Sequence, residues 1–332
     1  MTKLERLASF PRKTLGFFPT PLRELPRLSK VLGGPRIFVK RDDQSGLAFG
    51  GNKTRKLEFL VGEALARGCD CVISGGATQS NHCRQTAAAA AASGLDCHLA
   101  LGGKAPRLAE GNLLLDLVLG ATIHWGGANR KGEDIPRIEA ELRASGRKPY
   151  VIPYGGSDRI GALGFVEAAR ELSGQLAAEG LEPAAIVFAS SSGGTQAGLE
   201  VGARLFGFRA KLVAIAIDKV GTAGESLLDR IRSLSAEVAG LFDLGIESDE
   251  IELREDFLGG GYGIVGEEER AAILLAARSE GLLLDPVYTG RAFAALLALI
   301  RAGEFRSGQS LVFWHTGGAP ALFPYARDLL QK

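Results

Sequence analysis

The sequence predicts an α/β fold in which mostly parallel sheets are covered by helices. Short apolar runs typical of strands alternate with helical patterns along nearly the whole chain, as in βαβ units. Three strand-to-helix turns also have an unusual composition, at residues 50–58, 75–82 and 190–195. Such turns converge where ligands bind in open α/β sheets, and their N–H groups favour an anion. We therefore expect these three turns to form one ligand site.

Apolar runs bounded by glycine, proline or polar residues are predicted as strands, and longer patterns of helical period as helices. The predicted strands are residues 37–40, 71–74, 97–101, 122–125, 150–152, 185–189, 212–217 and 311–314. The predicted helices are residues 55–67, 81–93, 161–179, 266–280 and 289–301. Because the turn at 153–157 indicates a crossing, we expect the middle of the chain to form its own sheet. The predicted domains are a small one of residues 56–165 and a large one of residues 1–55 and 166–332.

Composition and charge favour a cytoplasmic enzyme. Of the 332 residues 46% are hydrophobic, and 39 basic side chains balance 38 acidic ones to a net charge of +1. That balance lacks the basic footprint of a nucleic-acid binder. The first residues show no apolar segment typical of a signal peptide, and no apolar run approaches the roughly 20 residues of a membrane span. We expect neither a nucleic-acid partner nor a membrane segment.

Cysteine and histidine are spaced unlike metal ligands. The cysteines form no pair of CxxC units and fall in segments expected to be packed: Cys69, Cys71, Cys83 and Cys97. The histidines are scattered as well: His82, His98, His124 and His315. We predict buried thiols and no metal site.

Two glycine-rich segments resemble phosphate loops without meeting their requirements. Residues 261–266 spell GxGxxG, but the preceding residues 252–256 are too charged for the buried strand that this fingerprint needs. Residues 46–54 nearly spell a P-loop, but Asn52 separates the second glycine from Lys53 and shifts the phosphate-binding register. The sequence also has no GxSxG elbow. Dinucleotide binding, nucleotide hydrolysis and α/β-hydrolase chemistry are therefore disfavoured.

An amine at the start of a helix and an anion cradle remain to be explained together. Pyridoxal phosphate would use both, because it needs an amine for its Schiff base and an anion site for its phosphate. It also needs a group that faces its pyridine nitrogen. Lys53 is the candidate amine, and the serine-glycine turn at 190–195 is the candidate cradle.

Five motifs, in order over most of the chain, resemble the D-cysteine desulfhydrase and 1-aminocyclopropane-1-carboxylate deaminase family. They are GGNKTRKLE, ATQSNH, SSSGGTQAG, LLDPVYTG and HTGGAPALF. The resemblance implies a two-domain tryptophan synthase β-like fold (fold type II) around pyridoxal 5'-phosphate. It also implies a small amino-acid substrate and a homodimer.

This resemblance implies roles for residues of the first two motifs. Lys53 resembles the Schiff-base lysine and the base that moves the Cα proton, and Lys56 resembles a lysine that contacts the phosphate. Asn81 resembles the partner of the cofactor's ring hydroxyl, while Ser80, Asn81 and His82 resemble the loop that binds the substrate carboxylate. Ser80 is also assigned as catalytic. From the residues alone, Lys56 could be a solvated helix position, and Ser80 or Asn81 a helix cap.

The later motifs complete the implied site. Tyr262 and Tyr288 resemble two catalytic tyrosines that bracket the substrate, although either one alone could be a core residue. Thr316 resembles the group that faces the pyridine nitrogen, and Thr289 is assigned to the cofactor as well. The implied phosphate cup at a helix N-terminus comprises Ser191, Ser192, Gly193, Gly194 and Thr195.

Three positions separate the branches of this family. Deaminases that open the cyclopropane ring carry glutamate, glutamine and leucine where this chain has Thr289, His82 and Thr316. A carboxylate near the pyridine nitrogen keeps it protonated and makes a strong electron sink, which threonine hydroxyls do not. The D-cysteine desulfhydrase branch has the threonine pattern. The resemblance therefore implies β-elimination of D-cysteine to pyruvate, hydrogen sulfide and ammonia.

Three other functions stay open at this point. Two are enzymatic, an L-cysteate sulfo-lyase and a 1-aminocyclopropane-1-carboxylate deaminase. The third is a catalytically silent protein that binds pyridoxal phosphate, although the presence of Lys53, Ser80, Tyr262 and Tyr288 argues against it. Sequence does not fix the leaving group or the stereochemistry of the substrate, because fold analogy does not determine substrate.

Overall fold

The computed structural model describes residues 2–218 and 225–330 of the chain. Within these residues, nine strands form two sheets, and twelve α-helices surround them. The strands are β1 (Leu22–Glu24), β2 (Arg36–Arg41), β3 (Cys71–Gly76), β4 (Asp96–Leu101), β5 (Thr122–Trp125), β6 (Pro149–Val151), β7 (Ala185–Ser190), β8 (Lys211–Ala216) and β9 (Ser310–His315).

The helices fall between the strands and at both ends of the described chain. They are α1 (Lys3–Ala8), α2 (Pro26–Leu32), α3 (Lys53–Ala66), α4 (Asn81–Ala91), α5 (Gly111–Val118), α6 (Ile135–Ala144), α7 (Arg159–Ala178), α8 (Gly194–Phe206), α9 (Leu227–Gly240), α10 (Glu267–Glu280), α11 (Thr289–Arg301) and α12 (Ala326–Leu330). No helix in the described part of the chain is long and apolar enough to cross a membrane.

The two sheets are almost entirely parallel. The larger one has the strand order β1-β2-β9-β7-β8, and the smaller one has the order β5-β4-β3-β6. All pairings are parallel except that of β1, which runs antiparallel to β2 at the edge of the larger sheet. The predicted α/β fold with mostly parallel sheets is therefore confirmed. The strand β1 was not predicted from the sequence, because one half-buried and two exposed residues show no apolar run.

The predicted small domain corresponds to the segment that contains the smaller sheet. All four strands of that sheet, β3 to β6, lie within residues 56–165, and the strands of the larger sheet lie outside them. The predicted limits at 55/56 and 165/166 fall inside the continuous helices α3 and α7. The division into two domains stays a prediction, with two helices shared between the sheets.

Alternate side chains of the central strands pack on opposite faces of the larger sheet, as the period of a strand requires. On one face Trp314 packs with Phe165 of α7 and Phe188 of β7. On the other face the neighbouring Phe313 packs edge-on against Phe293 of α11, with ring centroids 5.0 Å apart. Helices therefore cover both faces, and the carboxyl ends of the parallel strands are left to carry polar turns.

A close approach of two glycines joins the turn before α3 to the turn after β9. A Cβ atom added at Gly317 would lie 2.7 Å from the Cα of Gly51, closer than packed atoms allow. Both glycines also have positive φ angles, 129° at Gly51 and 87° at Gly317, which other residues rarely adopt. The first and last motifs are thereby held side by side at one edge of the larger sheet.

Candidate active site

A cavity lies where the turns after β3, β7 and β9 meet the start of α3. Its volume is about 420 Å³ including its opening to solvent, within the range of small-ligand pockets. The lining residues come from all five sequence motifs, together with Ala189 at the end of β7. They are Asn52, Lys53, Asn81, Ala189, Ser190, Ser191, Ser192, Gly193, Thr195, Tyr288 and Thr316.

Two lysine amines donate to one backbone carbonyl oxygen beside this cavity. Lys53 begins α3, and its Nζ donates to the carbonyl oxygen of Gly155 at 3.2 Å. Lys56, one turn later and fully buried, donates to the same oxygen at 3.1 Å and to Ser157 Oγ at 2.9 Å. Burial lowers the pKa of Lys53 to about 8, against an opposing hydrogen bond with Lys56. Burial and the neighbouring Lys53 hold the pKa of Lys56 well below its ordinary value.

The N-terminus of α8 forms a second part of the site. Gly193 is the N-cap and has a positive φ of 86°, so the N-cap residue itself has no side chain to accept from the first N–H groups of the helix. The hydroxyl of Ser157 accepts from the N–H of Gly194 at 3.2 Å and lies 2.7 Å from Ser192 Oγ. Asn52 Nδ2 donates to Thr195 Oγ1 at 3.1 Å. Hydroxyls and a helix N-terminus therefore converge on one end of the cavity.

These two parts fit pyridoxal phosphate. A Cβ atom added at Gly194 would lie 2.9 Å from Lys56 Nζ and 2.7 Å from Ser157 Oγ, so the helix start and the buried amine are close neighbours. An anion there would receive N–H groups, hydroxyls and a cation, as phosphates do at helix N-termini. Lys53, at the other side of Gly155, would hold the cofactor covalently. The residues that the resemblance assigned to the cup are thus brought together with both lysines.

Residues of the ATQSNH motif lie at the start of α4. Ser80 is the N-cap, and its Oγ accepts from the N–H of Cys83 at 3.2 Å. Asn81 lines the cavity and accepts from Asn112 Nδ2 at 2.8 Å. His82 is buried, with Nε2 2.8 Å from Ser74 Oγ, while its Nδ1 has no hydrogen-bond partner among the described residues. Burial, together with the two lysines, lowers the pKa of His82 well below its ordinary value, so the ring is neutral near pH 7.

The two predicted tyrosines lie against each other. The Tyr262 and Tyr288 hydroxyl oxygens are 2.7 Å apart, and the rings meet edge-on with centroids 6.1 Å apart. Burial raises the pKa of both phenols above the ordinary value. Both hydroxyls therefore carry their protons near neutral pH. One of them donates to the other, which leaves one phenolic proton of the pair for a ligand in the cavity.

The two predicted cofactor threonines have different surroundings. Thr316 lines the cavity, and its carbonyl oxygen accepts from the N–H of Asn52 at 3.0 Å. Thr289 is fully buried, and its hydroxyl donates to Asp285 Oδ1 at 2.7 Å. The Asp285 carboxylate also accepts from the N–H groups of Val287, Tyr288 and Thr289, so it caps the start of α11. Thr289 is thus engaged by Asp285 and is not among the residues that line the cavity.

Several residues around the cavity were not assigned from the sequence. Asn52 lies inside the first motif, and Ser157 in the turn at 153–157, so both had a local signal. Tyr154 lies near the cavity as well, and burial raises the pKa of its phenol to about 12, against charge from Arg130 and a hydrogen bond from Ser191 that lower it. Tyr154 lies in the same turn as Ser157, whereas Arg130 lies outside the five motifs.

A buried ionic cluster fixes the helix that carries both lysines. Arg55 of α3 donates to both oxygens of Asp42, at 2.9 and 2.8 Å, and to Glu171 of α7 at 3.0 Å. Trp314 Nε1 donates to Asp42 Oδ2 at 2.8 Å. Lys40 binds Glu171 as well. Because buried charges must be paired, this cluster sets the position of α3 against the larger sheet.

His98 and His124 are neighbours, with ring nitrogens 3.2 Å apart, but they are not part of a larger group of possible metal ligands among the described residues. No group of three or more histidine, cysteine, aspartate or glutamate side chains in the described residues could hold a metal ion. The cysteines are unpaired, and three of the four are buried.

Comparison with known proteins agrees with this geometry. Residues 13–317 match the family described as pyridoxal-phosphate dependent enzyme. The chain is 44% identical over 329 residues to the D-cysteine desulfhydrase of Klebsiella pneumoniae (strain 342), which covers 97% of this chain and 98% of that protein. A crystal structure of an ACC deaminase homologue superposes with a TM-score of 0.89, at 40% identity and 98% coverage of both chains.

More distant structures share the fold alone. A pyridoxal 5'-phosphate-dependent aspartate racemase superposes with a TM-score of 0.64 at 17% identity, over 90% of each chain. The family match, the near-complete coverage and the arrangement of the lysines and the anion cradle lead to one conclusion. The chain belongs to the family of pyridoxal-phosphate dependent enzymes, in the group that contains D-cysteine desulfhydrases and 1-aminocyclopropane-1-carboxylate deaminases.

Proposed function

We propose that this enzyme catalyses the β-elimination of D-cysteine to pyruvate, hydrogen sulfide and ammonia. One observation carries the proposal: the cavity is lined by an amine of lowered pKa and by Tyr288, whose hydroxyl contacts that of Tyr262, and no carboxylate is among its lining residues in the described chain. Pyridoxal phosphate, when bound, supplies an electron sink for the negative charge left at Cα of the substrate. The chain's own groups must then bind the substrate and move two protons.

Lys53 is proposed as the base that takes the proton from Cα. An amine with a pKa of about 8 is partly neutral near pH 7, so it can accept a proton and return it. The start of α4, with Ser80, Asn81 and His82, is proposed to bind the substrate carboxylate. The helix N-terminus there favours an anion, and Asn81 faces the cavity.

The phenol pair is proposed to protonate the departing sulfur. As the Cβ–S bond breaks, its electron pair leaves with sulfur, and the hydrosulfide takes a proton from the Tyr262 and Tyr288 pair. The raised pKa values keep both phenols protonated until that moment. The carbon product is 2-aminoacrylate, which water hydrolyses to pyruvate and ammonia. The hydroxyl that lost its proton is then reprotonated from solvent.

Elimination is favoured over opening of a cyclopropane ring because the cavity offers a neutral environment to the pyridine nitrogen. Thr316, the proposed partner of that nitrogen, has a hydroxyl that cannot hold it protonated as a carboxylate would. A leaving group on Cβ removes the carbanion's charge directly, so elimination needs a weaker electron sink. That none of the described lining residues is a carboxylate therefore supports a lyase that acts on β-substituted alanines.

Pyruvate release from D-cysteine tests this proposal when wild type is compared with Lys53→Ala. We expect the variant to lose at least about 1,000-fold in kcat, because the only proposed proton acceptor at Cα is gone. Lys211→Ala is the matched control, since Lys211 lies on the surface and pairs with Glu252 far from the cavity. Near-normal pyruvate release by Lys53→Ala would refute the assignment of this lysine.

We also propose that the enzyme is a cytoplasmic homodimer. Apolar side chains on α5 and directly after the nearby turn at 319–322 are exposed, with Leu117 at 49%, Val118 at 72% and Phe323 at 72%. Such a patch on a folded chain supports an interface. Unpaired cysteines support a reducing compartment. Light scattering coupled to gel filtration would test the dimer, and Val118→Glu should shift the mass toward the monomer.

A further inference from the structure

A loop from the smaller sheet reaches the larger one beside the cavity. Arg130 lies in the segment between β5 and α6, at the carboxyl edge of the smaller sheet. Its Nη2 donates to Asp218 Oδ2 at 2.8 Å, and Asp218 follows β8 of the larger sheet. Lys131 Nζ lies 3.3 Å from the same carboxylate oxygen. The carboxyl edges of the two sheets are thereby joined by an ion pair.

The same guanidinium lies on the ring of Tyr262. The distance from Arg130 Cζ to the ring centroid is 4.5 Å, which is a close cation–π contact. Gly102, at the end of β4, leaves room for this arrangement, because a Cβ atom there would be 2.7 Å from Arg130 Cβ. The base of the arginine side chain is therefore confined, and its planar head contacts Asp218 and Tyr262 at once. Only arginine can pair with a carboxylate and stack on a ring in this way.

We propose that Arg130 is a positioning residue for Tyr262. It holds the Tyr262 ring so that its hydroxyl stays 2.7 Å from that of Tyr288, and it does so only while Asp218 holds the loop of the smaller sheet in place. The inference rests on the proposed function, in which this phenol pair protonates the leaving group. Arg130 itself does not touch the reacting atoms, so its effect must pass through the Tyr262 hydroxyl.

A double-mutant cycle tests whether the effect passes through that hydroxyl. Arg130→Met keeps the length and apolar stem of the side chain and removes the cation. In the wild-type background we expect it to lower kcat for pyruvate release about 10-fold or more, with KM changed less than about 3-fold. In the Tyr262→Phe background, where no hydroxyl remains to be placed, the same change should cost less than about 2-fold. Equal losses in both backgrounds would overturn the proposal.

Two further variants separate the effect of charge from that of ring stacking and control for the loss of a nearby arginine. Arg130→Lys keeps the charge toward Asp218 but cannot stack as a plane, so it should restore only part of the lost kcat. Arg137→Met is the matched control, because Arg137 lies nearby on α6 and pairs with Glu141 at the surface. We expect the control to match wild type. A full recovery of kcat with lysine would show that charge alone matters, against the positioning role.

Fluorine NMR of protein labelled with 3-fluorotyrosine gives a readout that is independent of turnover. The chain has five tyrosines, and the Tyr262 resonance is identified by its loss in Tyr262→Phe. Arg130→Met should shift that resonance and leave the resonance of Tyr150, on β6 of the smaller sheet, in place. An unmoved Tyr262 resonance would overturn the proposal. If wild type released no pyruvate from D-cysteine while this resonance shifted, the proposed function would fail and the positioning role would stand.

Discussion

Asp116, on α5 next to the smaller sheet, is a buried carboxyl group whose ionisation should cost stability. Its side chain is fully enclosed, and neither of its oxygens has a hydrogen-bond partner among the described residues. Burial raises the pKa of Asp116 to about 8, and the charge of Arg84 offsets this only in part. The substitution Asp116→Asn keeps the shape of the side chain and removes the ionisable carboxyl group.

The size of the effect follows from the two pKa values. A folded-state pKa of about 8 against an unfolded value of about 3.9 means that the folded protein binds this proton more tightly. Stability from this group is therefore full below about pH 4 and is lost as pH rises toward 8. At about 1.4 kcal/mol per pH unit, the loss is on the order of 3 kcal/mol at pH 6 and on the order of 6 kcal/mol at pH 9.

Denaturant unfolding at pH 6 and pH 9 measures this effect. The stability of Asp116→Asn relative to wild type should rise by about 3 kcal/mol between the two values of pH, because only wild type must take up a proton at this position when it folds. Other titrating groups are common to both proteins and cancel in the difference. Asp328→Asn, an exposed position on α12, is the control and should show no such change. A difference in unfolding free energy between Asp116→Asn and wild type that is the same at both values of pH would show that the pKa of Asp116 is not raised in the folded protein.

Two other substitutions test the site and its support. Gly194→Asp should abolish retention of the cofactor through dialysis, because the new side chain meets Lys56 and Ser157 and brings a negative charge to the phosphate cup. Gly174→Asp is the control and should retain the cofactor, since Gly174 lies on α7 with open space around it. Thr289→Val should lower the free energy of unfolding by about 1–3 kcal/mol, since the buried Asp285 carboxyl loses a hydrogen-bond donor. Urea unfolding measures this, and an unchanged midpoint of the urea transition would contradict it.

Local signals in the sequence predict most of the residues that line the candidate cavity. Glycine, serine and lysine next to one another in short turns predict a helix start that binds an anion, and the structure brings Lys53, Gly193 and Thr316 to one cavity. The strands were found because apolar runs are local as well. The three-residue strand β1 was missed, since its pairing with β2 depends on the rest of the sheet.

Other features depend on contacts between distant parts of the chain. Thr289 follows Tyr288 directly, yet one step along a helix turns a side chain by about 100°, and Thr289 faces Asp285 instead of the cavity. The contact between Arg130 and Tyr262 joins the loop before α6 to the loop before α10. Asp116 looks like an ordinary polar position of a helix until α4 is packed against it. None of these could be found from spacing alone.

The purified enzyme's formation of 2-oxo acids from a panel of amino acids gives the sharpest test of the proposed substrate, with pyruvate measured for the β-substituted alanines and 2-oxobutanoate for the four-carbon cyclopropane amino acid. The panel comprises D-cysteine, L-cysteine, L-cysteate, D-serine, β-chloro-D-alanine and 1-aminocyclopropane-1-carboxylate, each measured as kcat/KM. We predict that D-cysteine exceeds the cyclopropane amino acid by at least about 100-fold, which corresponds to about 2.7 kcal/mol in transition-state stabilisation. Equal or greater efficiency on the cyclopropane amino acid, or a clear preference for L-cysteate, would contradict the assignment of D-cysteine as the substrate.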